Sequence, residues 1–136
     1  MSNSNWDIDF RDGLVGESAV ARLLTIDTVE VKTDRQWKET GNVYIETHCW
    51  YNSTKSWEPS GITVSEATHW ALVLGDVVLI VARDVLLKAI QEWGRSISCD
   101  IEPNPSAGYL ITPNEIMEYM RWKHQSSTTD TSDSDS

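Results

Sequence analysis

The apolar positions divide the chain into short runs separated by turn residues. Ala19, Val20, Leu23 and Leu24 recur at helical spacing after Gly13 and Gly16, so the spacing predicts a helix beginning near Glu17. Val29-Glu30-Val31-Lys32 alternates strictly, as a strand with one buried face does. That alternation sends the valines into a core and sets Glu30 and Lys32 side by side on the other face. Positions 34–39 are polar, and Gly41-Asn42 closes a turn. Positions 43–50 are rich in β formers, and counting by twos places Tyr44, Glu46 and His48 on one face. Positions 51–60 read as a loop. Ser65 fits a helix N-cap, and Ala67, Trp70, Ala71 and Leu74 predict a helix ended by Gly75.

The apolar run 77–82 is continuous, as expected of a strand buried on both faces. Arg83-Asp84 opens another helix, with Val85, Leu86, Ala89, Ile90 and Trp93 inward and Gly94 as its stop. Positions 97–107 read as irregular and 108–111 as a short strand. Pro113 begins a closing helix packed through Ile116, Met117, Tyr119 and Met120. Residues 1–12 are either a loose arm or a short edge strand, since Trp6, Ile8 and Phe10 alternate among acids. This order of elements predicts an α/β fold, a central mixed sheet flanked by helices. It also divides the chain into an arm (1–12), one domain (13–125) and an acidic Ser/Thr/Asp tail (126–136) expected to be disordered.

Composition narrows the picture without identifying a chemistry. With 40% hydrophobic residues and seven tryptophans, the chain is expected to fold as a globular domain. No apolar run is long enough to span a membrane, and the first residues do not resemble a secretory signal. Cys49 and Cys99 sit in no zinc-type cluster and read as reduced thiols, so a cytoplasmic location is expected. No internal repeat and no Gly-rich phosphate loop occur. The net charge of −10 opposes a general nucleic-acid binder. Part of it sits in the tail, in Asp130, Asp133 and Asp135, and metal-binding acids would account for more. Lys32, Arg35, Lys38 and Lys55 offer a local basic rim suited to phosphates.

Glu30 and Lys32 are the pair with chemical meaning. A carboxylate there can hold a divalent metal, while the lysine positions a water or steadies developing negative charge. On its own, such a pair is common on solvated strands. With Glu17 on a preceding helix and Thr40-Gly41-Asn42 leading into a strand that carries Glu46, the stretch resembles the PD-(D/E)xK nuclease superfamily. Glu-Val-Lys-x-Asp followed by Thr-Gly-Asn is similar to small phage and prophage nucleases and Holliday-junction-resolvase-like proteins of that group. Ser60-Gly61-Ile62 resembles the tripeptide before the next helix in those nucleases. The likeness runs from about Gly16 to Thr112 and is sharpest between Glu30 and Glu46.

The resemblance implies a restriction-endonuclease-like core and Mg²⁺- or Mn²⁺-dependent hydrolysis of DNA phosphodiesters, in DNA processing or recombination. Glu30 and Glu46 would then hold metal, Glu17 an outer-shell water or a second ion, and Lys32 the attacking hydroxide or the phosphate. Arg35, Lys38, Lys55, Gly61 and His48 become candidate nucleic-acid contacts. Superfamily members usually carry an aspartate on an earlier strand, and only Asp27 lies between Glu17 and Glu30. Either Asp27 serves as a metal ligand at a tight strand entrance, or Glu46 replaces the missing acid, or the site is inactive; Glu46 is the favoured choice. The substrate is duplex, single-stranded or branched DNA, and a branched one would suit a homodimer. If the chain is viral, the expected location is the host cytoplasm. The alternative is a catalytically inactive nuclease-like protein that binds DNA or another protein.

Overall fold

The computed structural model describes residues 28–100 and 104–134, with side chains as far as Gln125. The arm, the first helix, Glu17 and Asp27 therefore lie outside the described residues. The described chain is mixed α/β, but it builds two sheets where one central sheet was expected. Strands β1 (Val29–Thr33), β4 (His69–Leu74) and β5 (Val77–Ala82) form a mixed sheet in the order β1-β4-β5. In it β1 runs parallel to β4, and β5 antiparallel. Strands β2 (Val43–Tyr51), β3 (Ser56–Pro59), β6 (Arg95–Cys99) and β7 (Ser106–Ile111) form an antiparallel sheet in the order β3-β2-β7-β6. The helices are α1 (Trp37–Thr40), α2 (Arg83–Trp93) and α3 (Pro113–Ser134).

One core joins these parts. Trp70, Leu72 and Leu74 of β4 and Val81 of β5 meet Val43 and Ile45 of β2, Ile111 of β7, Leu86 and Ile90 of α2, and Ile116 of α3. Trp93, Tyr119 and Trp122 pack as a ring cluster between α2 and α3, with centroids 5.3–6.0 Å apart. Helix α2 begins and ends where the spacing predicted, because Gly94 stops it and its N–H bonds back to Ile90 O. Of the residues expected to pack the closing helix, Ile116 and Tyr119 are buried, but Met117 is 60% exposed.

Several expectations change, each for a non-local reason. The segment read as a helix ending at Gly75 is the central strand β4. Trp70, Ala71, Leu72 and Leu74 are all buried because partners cover both its edges and both its faces, which erases the alternation a strand usually shows. Gly75, at φ 66°, forms with Asp76 a two-residue hairpin turn between Leu74 and Val77. The run 77–82, expected to be buried on both faces, is instead the edge strand β5, with Val78 52% exposed. The supposed loop 51–60 contains β3, which pairs back on β2 and sets Trp57 opposite Trp50. The irregular stretch contains β6, paired with β7. Helix α3 carries on through 126–134, where a disordered tail was expected; once nucleated, a helix adds one hydrogen bond for each residue fixed.

The faces of β1 are also reversed. Pairing aligns Glu30 with Trp70 and Lys32 with Leu72, so the charged pair shares the inner face of the sheet. Val29 and Val31 stand on the outer face, where Val31 is 63% exposed. Beside this edge strand the inner side opens into a cleft, so charge is tolerated there.

The start of α3 is locked by a reciprocal cap. Thr112 Oγ1 accepts from Glu115 N at 3.1 Å, and Glu115 Oε1 accepts from Thr112 N at 2.9 Å. The Thr112 N–H, aided by Arg95 at 3.1 Å, holds the Glu115 carboxyl below its usual 4.5. A depressed carboxylate stabilises the fold above its unfolded pKa, and that contribution disappears as pH falls through the folded value. Glu115→Gln is therefore expected to melt below the wild type at pH 7, with the difference closing as pH falls through the lowered folded pKa of Glu115. Thr112→Ala, which removes the cap acceptor, is expected to cost about 1 kcal/mol. Thermal melts of both variants across this pH range check the cap.

Candidate functional site

The charged edge of β1 faces β2 across the gap between the two sheets. A cleft of about 700 Å³ there is lined by Glu30 and Lys32 from β1, Glu46 from β2, and Gly61, Ser65 and Glu66 from the following segment. Glu30 and Glu46 thus reach one cavity from different sheets. The two carboxylates are not on paired strands, since β1 pairs with β4, and β2 with β3 and β7. Lys32 Nζ lies 5.5 Å from the centroid of the Trp70 ring, a cation–π contact that holds the ammonium near the cleft.

Glu46 is fixed from two sides. Ser60 Oγ donates to its Oε2 at 2.9 Å, leaving Oε1 out of that bond. Gly61 sits at φ 55°, and a Cβ there would overlap the carbonyl oxygen of Glu46. Only glycine allows both that backbone and that approach. The backbone is tied as well, since Ser60 N donates to Thr47 O at 2.8 Å. A Ser60→Ala change is therefore expected to leave the melting temperature within a few degrees of wild type while weakening any activity that depends on Glu46, measured as a rate.

Asp34 joins the end of β1 to the start of β2. Its Oδ1 accepts from Gln36 N at 2.9 Å and its Oδ2 from Tyr44 N at 2.8 Å. Beyond this link lies a second cavity of about 510 Å³, which shares Lys32 and Glu46 with the first and includes Arg35, Tyr44 and Ser106. Tyr44 Oη and Ser106 Oγ are hydrogen-bonded at 2.8 Å. Burial pushes the Tyr44 phenol up to about 12, with the nearby Cys99 and Glu46 adding to the rise and the Ser106 bond opposing it. The phenol is therefore neutral at working pH and acts as a hydrogen-bonding wall, not as a base.

The other candidates separate from this centre. Tyr44 and Glu46 share a face, but His48 does not. A bulge at Thr47 shifts the β2–β7 register, so Glu46 pairs with Gly108 and His48 with the next residue along, Ala107. One extra residue turns His48 to the opposite face, exposed, with Nδ1 3.0 Å from Thr47 Oγ1. Lys55 sits at φ 53° in the β2–β3 hairpin and lines neither cavity. Lys38 is exposed on α1 and also lines neither. Arg35 alone of these three basic residues lines the second cavity.

Sequence reasoning missed Ser60, Glu66 and the Tyr44–Ser106 pair. A serine just before the close-approach glycine was a usable signal for the first. Glu66 was hidden by the helix expected from Ser65, and the last pair spans 62 residues, with no local trace.

Among the described residues no group of three or more His, Cys, Asp or Glu could together hold a metal ion. The acids that line the cleft are carboxylates only, Glu30, Glu46 and Glu66. A hard-oxygen set of this kind suits Mg²⁺ or Mn²⁺, which need only one or two carboxylates alongside substrate phosphate and water. No helix among the described residues is long and apolar enough to cross a membrane. No family model, curated protein or solved structure matches the chain.

Proposed function

We propose that the chain is a metal-dependent nuclease that hydrolyses DNA phosphodiesters, with a two-sheet variant of the restriction-endonuclease-like core. The observation that carries this reading is the convergence of Glu30, Lys32 and Glu46 on one cleft. Two carboxylates able to hold a divalent ion and an ammonium able to offset negative charge, at a shared cavity, suit phosphodiester hydrolysis. In the reaction, water adds to phosphorus and one P–O ester bond breaks, leaving a phosphomonoester and an alcohol. Glu30 and Glu46 would hold Mg²⁺ or Mn²⁺, which when bound supplies Lewis-acid activation of phosphate and water. Lys32 orients the nucleophile or offsets the charge that builds on the non-bridging oxygens. Ser60 and Gly61 keep Glu46 aimed at the cleft, and Arg35 takes a flanking phosphate. Glu17 and Asp27 remain candidates to complete the ligand set.

The test is cleavage of labelled single-stranded, duplex and four-way DNA with Mg²⁺, Mn²⁺ or EDTA. Cutting that requires the metal is expected, and cutting that persists in EDTA would overturn the metal-dependent mechanism. One observation favours the inactive-binder reading, namely the lack of a three-ligand group among the described residues. Calorimetric titration with Mn²⁺ separates the two, because an inactive site would bind the ion weakly or not at all.

A further inference from the structure

The second cavity has a composition that hydrolysis alone does not require. Its walls combine an aromatic and aliphatic surface from Tyr44, Ile97 and Leu110 with the amides of Gln36 and Asn42 and the cation of Arg35. Asp34, its one other acid besides Glu46, has both oxygens engaged by backbone N–H groups. Asn42 Oδ1 accepts from Arg95 at 2.7 Å, which leaves the amide to present N–H donors. Arg35 is in no ion pair with another described residue. A plain anion site would lack the apolar walls, and an apolar ligand site would lack the amides and the guanidinium.

We propose that this cavity holds one unpaired nucleoside of the substrate, next to the phosphodiester being cut. The inference rests on the nuclease reading and adds a substrate class to it. Lys32 and Glu46 line both cavities, so a phosphate at the carboxylates and the nucleoside attached to it occupy adjoining spaces. A volume of about 510 Å³ lies in the range that encloses a single small ligand, and a base stacked within a duplex cannot enter it. The base must leave its stack, which is least costly where it is already unpaired. Tyr44 and Leu110, paired neighbours on one face of the antiparallel sheet, together supply an apolar platform for one face of the base, a contact that tolerates any base. The substrate class is therefore DNA with an unpaired nucleotide at the scissile position: a single strand, a flap, a bulge or a branch point.

The test uses the full chain with Mn²⁺ and three matched substrates. They are a continuous duplex, the same duplex with one unpaired nucleotide, and that substrate with an abasic residue at the unpaired position. The unpaired nucleotide is expected to raise the cleavage rate about tenfold or more over the duplex, and the abasic residue to abolish that gain. Leu110→Trp, which fills the cavity, is expected to lower the rate on the unpaired substrate to that on the duplex. The abasic comparison gives the answer without any variant, should Leu110→Trp fail to fold. Equal cutting of all three substrates overturns the nucleoside site and leaves the nuclease reading intact. No cutting and no binding of any of them overturns both.

Discussion

Glu30→Ala is expected to lower metal-dependent DNA cleavage by on the order of 10²–10³-fold while leaving the fold intact. Glu30 lies exposed on the edge strand β1 and takes part in no side-chain hydrogen bond or ion pair with another described residue, so its loss removes no such support. A strand substitution of this kind costs at most about 1 kcal/mol. The catalytic loss is far larger, because Glu46, the other carboxylate of the proposed metal pair, would have to hold the ion with one oxygen already occupied by Ser60. A metal contributes several kcal/mol of charge stabilisation in the transition state, and each 1.4 kcal/mol is about tenfold in rate. Rates measured beside a thermal melt separate the two effects. A variant that folds normally and still cuts at the wild-type rate with Mg²⁺ would remove Glu30 from the mechanism.

Gly61→Ala is expected to have the largest effect on stability, roughly 3 kcal/mol and a fall in melting temperature of about 10 °C. Two costs combine at this position. The backbone at φ 55° is strained for any side chain, and the added Cβ would overlap the Glu46 carbonyl, which is backbone and cannot swing aside. Gly41 provides the control, since it has φ 77° but nothing within 4 Å of an added Cβ. Gly41→Ala therefore pays only the conformational strain, about 1 kcal/mol. A Gly61→Ala loss no greater than that of Gly41→Ala would mean that this turn and β2 separate freely. The same substitution is expected to impair cleavage, because relief of the overlap moves the strand segment that carries Glu46.

The sequence by itself determined features that depend on near neighbours along the chain. Alternation marked β1, β formers marked β2, Gly94 marked the end of α2, and Pro113 marked the start of α3. Glu30 and Lys32 could be paired from their spacing along one strand, and Glu46 was added to them by the resemblance to a nuclease superfamily. Tertiary structure decided how they meet. Edge strand β1 finds its partner about 40 residues downstream in β4, and this pairing turned Glu30 and Lys32 inward and the valines outward. The strand β4 was read as a helix because coverage from all sides removes the period that tells strand from helix. His48 left the face of Glu46 through a single inserted residue at Thr47, which no residue type announces. The Ser60 and Gly61 contacts with Glu46 arise where a turn folds back on a strand 14 residues earlier. Local sequence fixes backbone preference and side-chain chemistry. Which face is buried, and which carboxylates share a cavity, depends on strand pairings between distant segments, and the free energy of those pairings belongs to the assembled core.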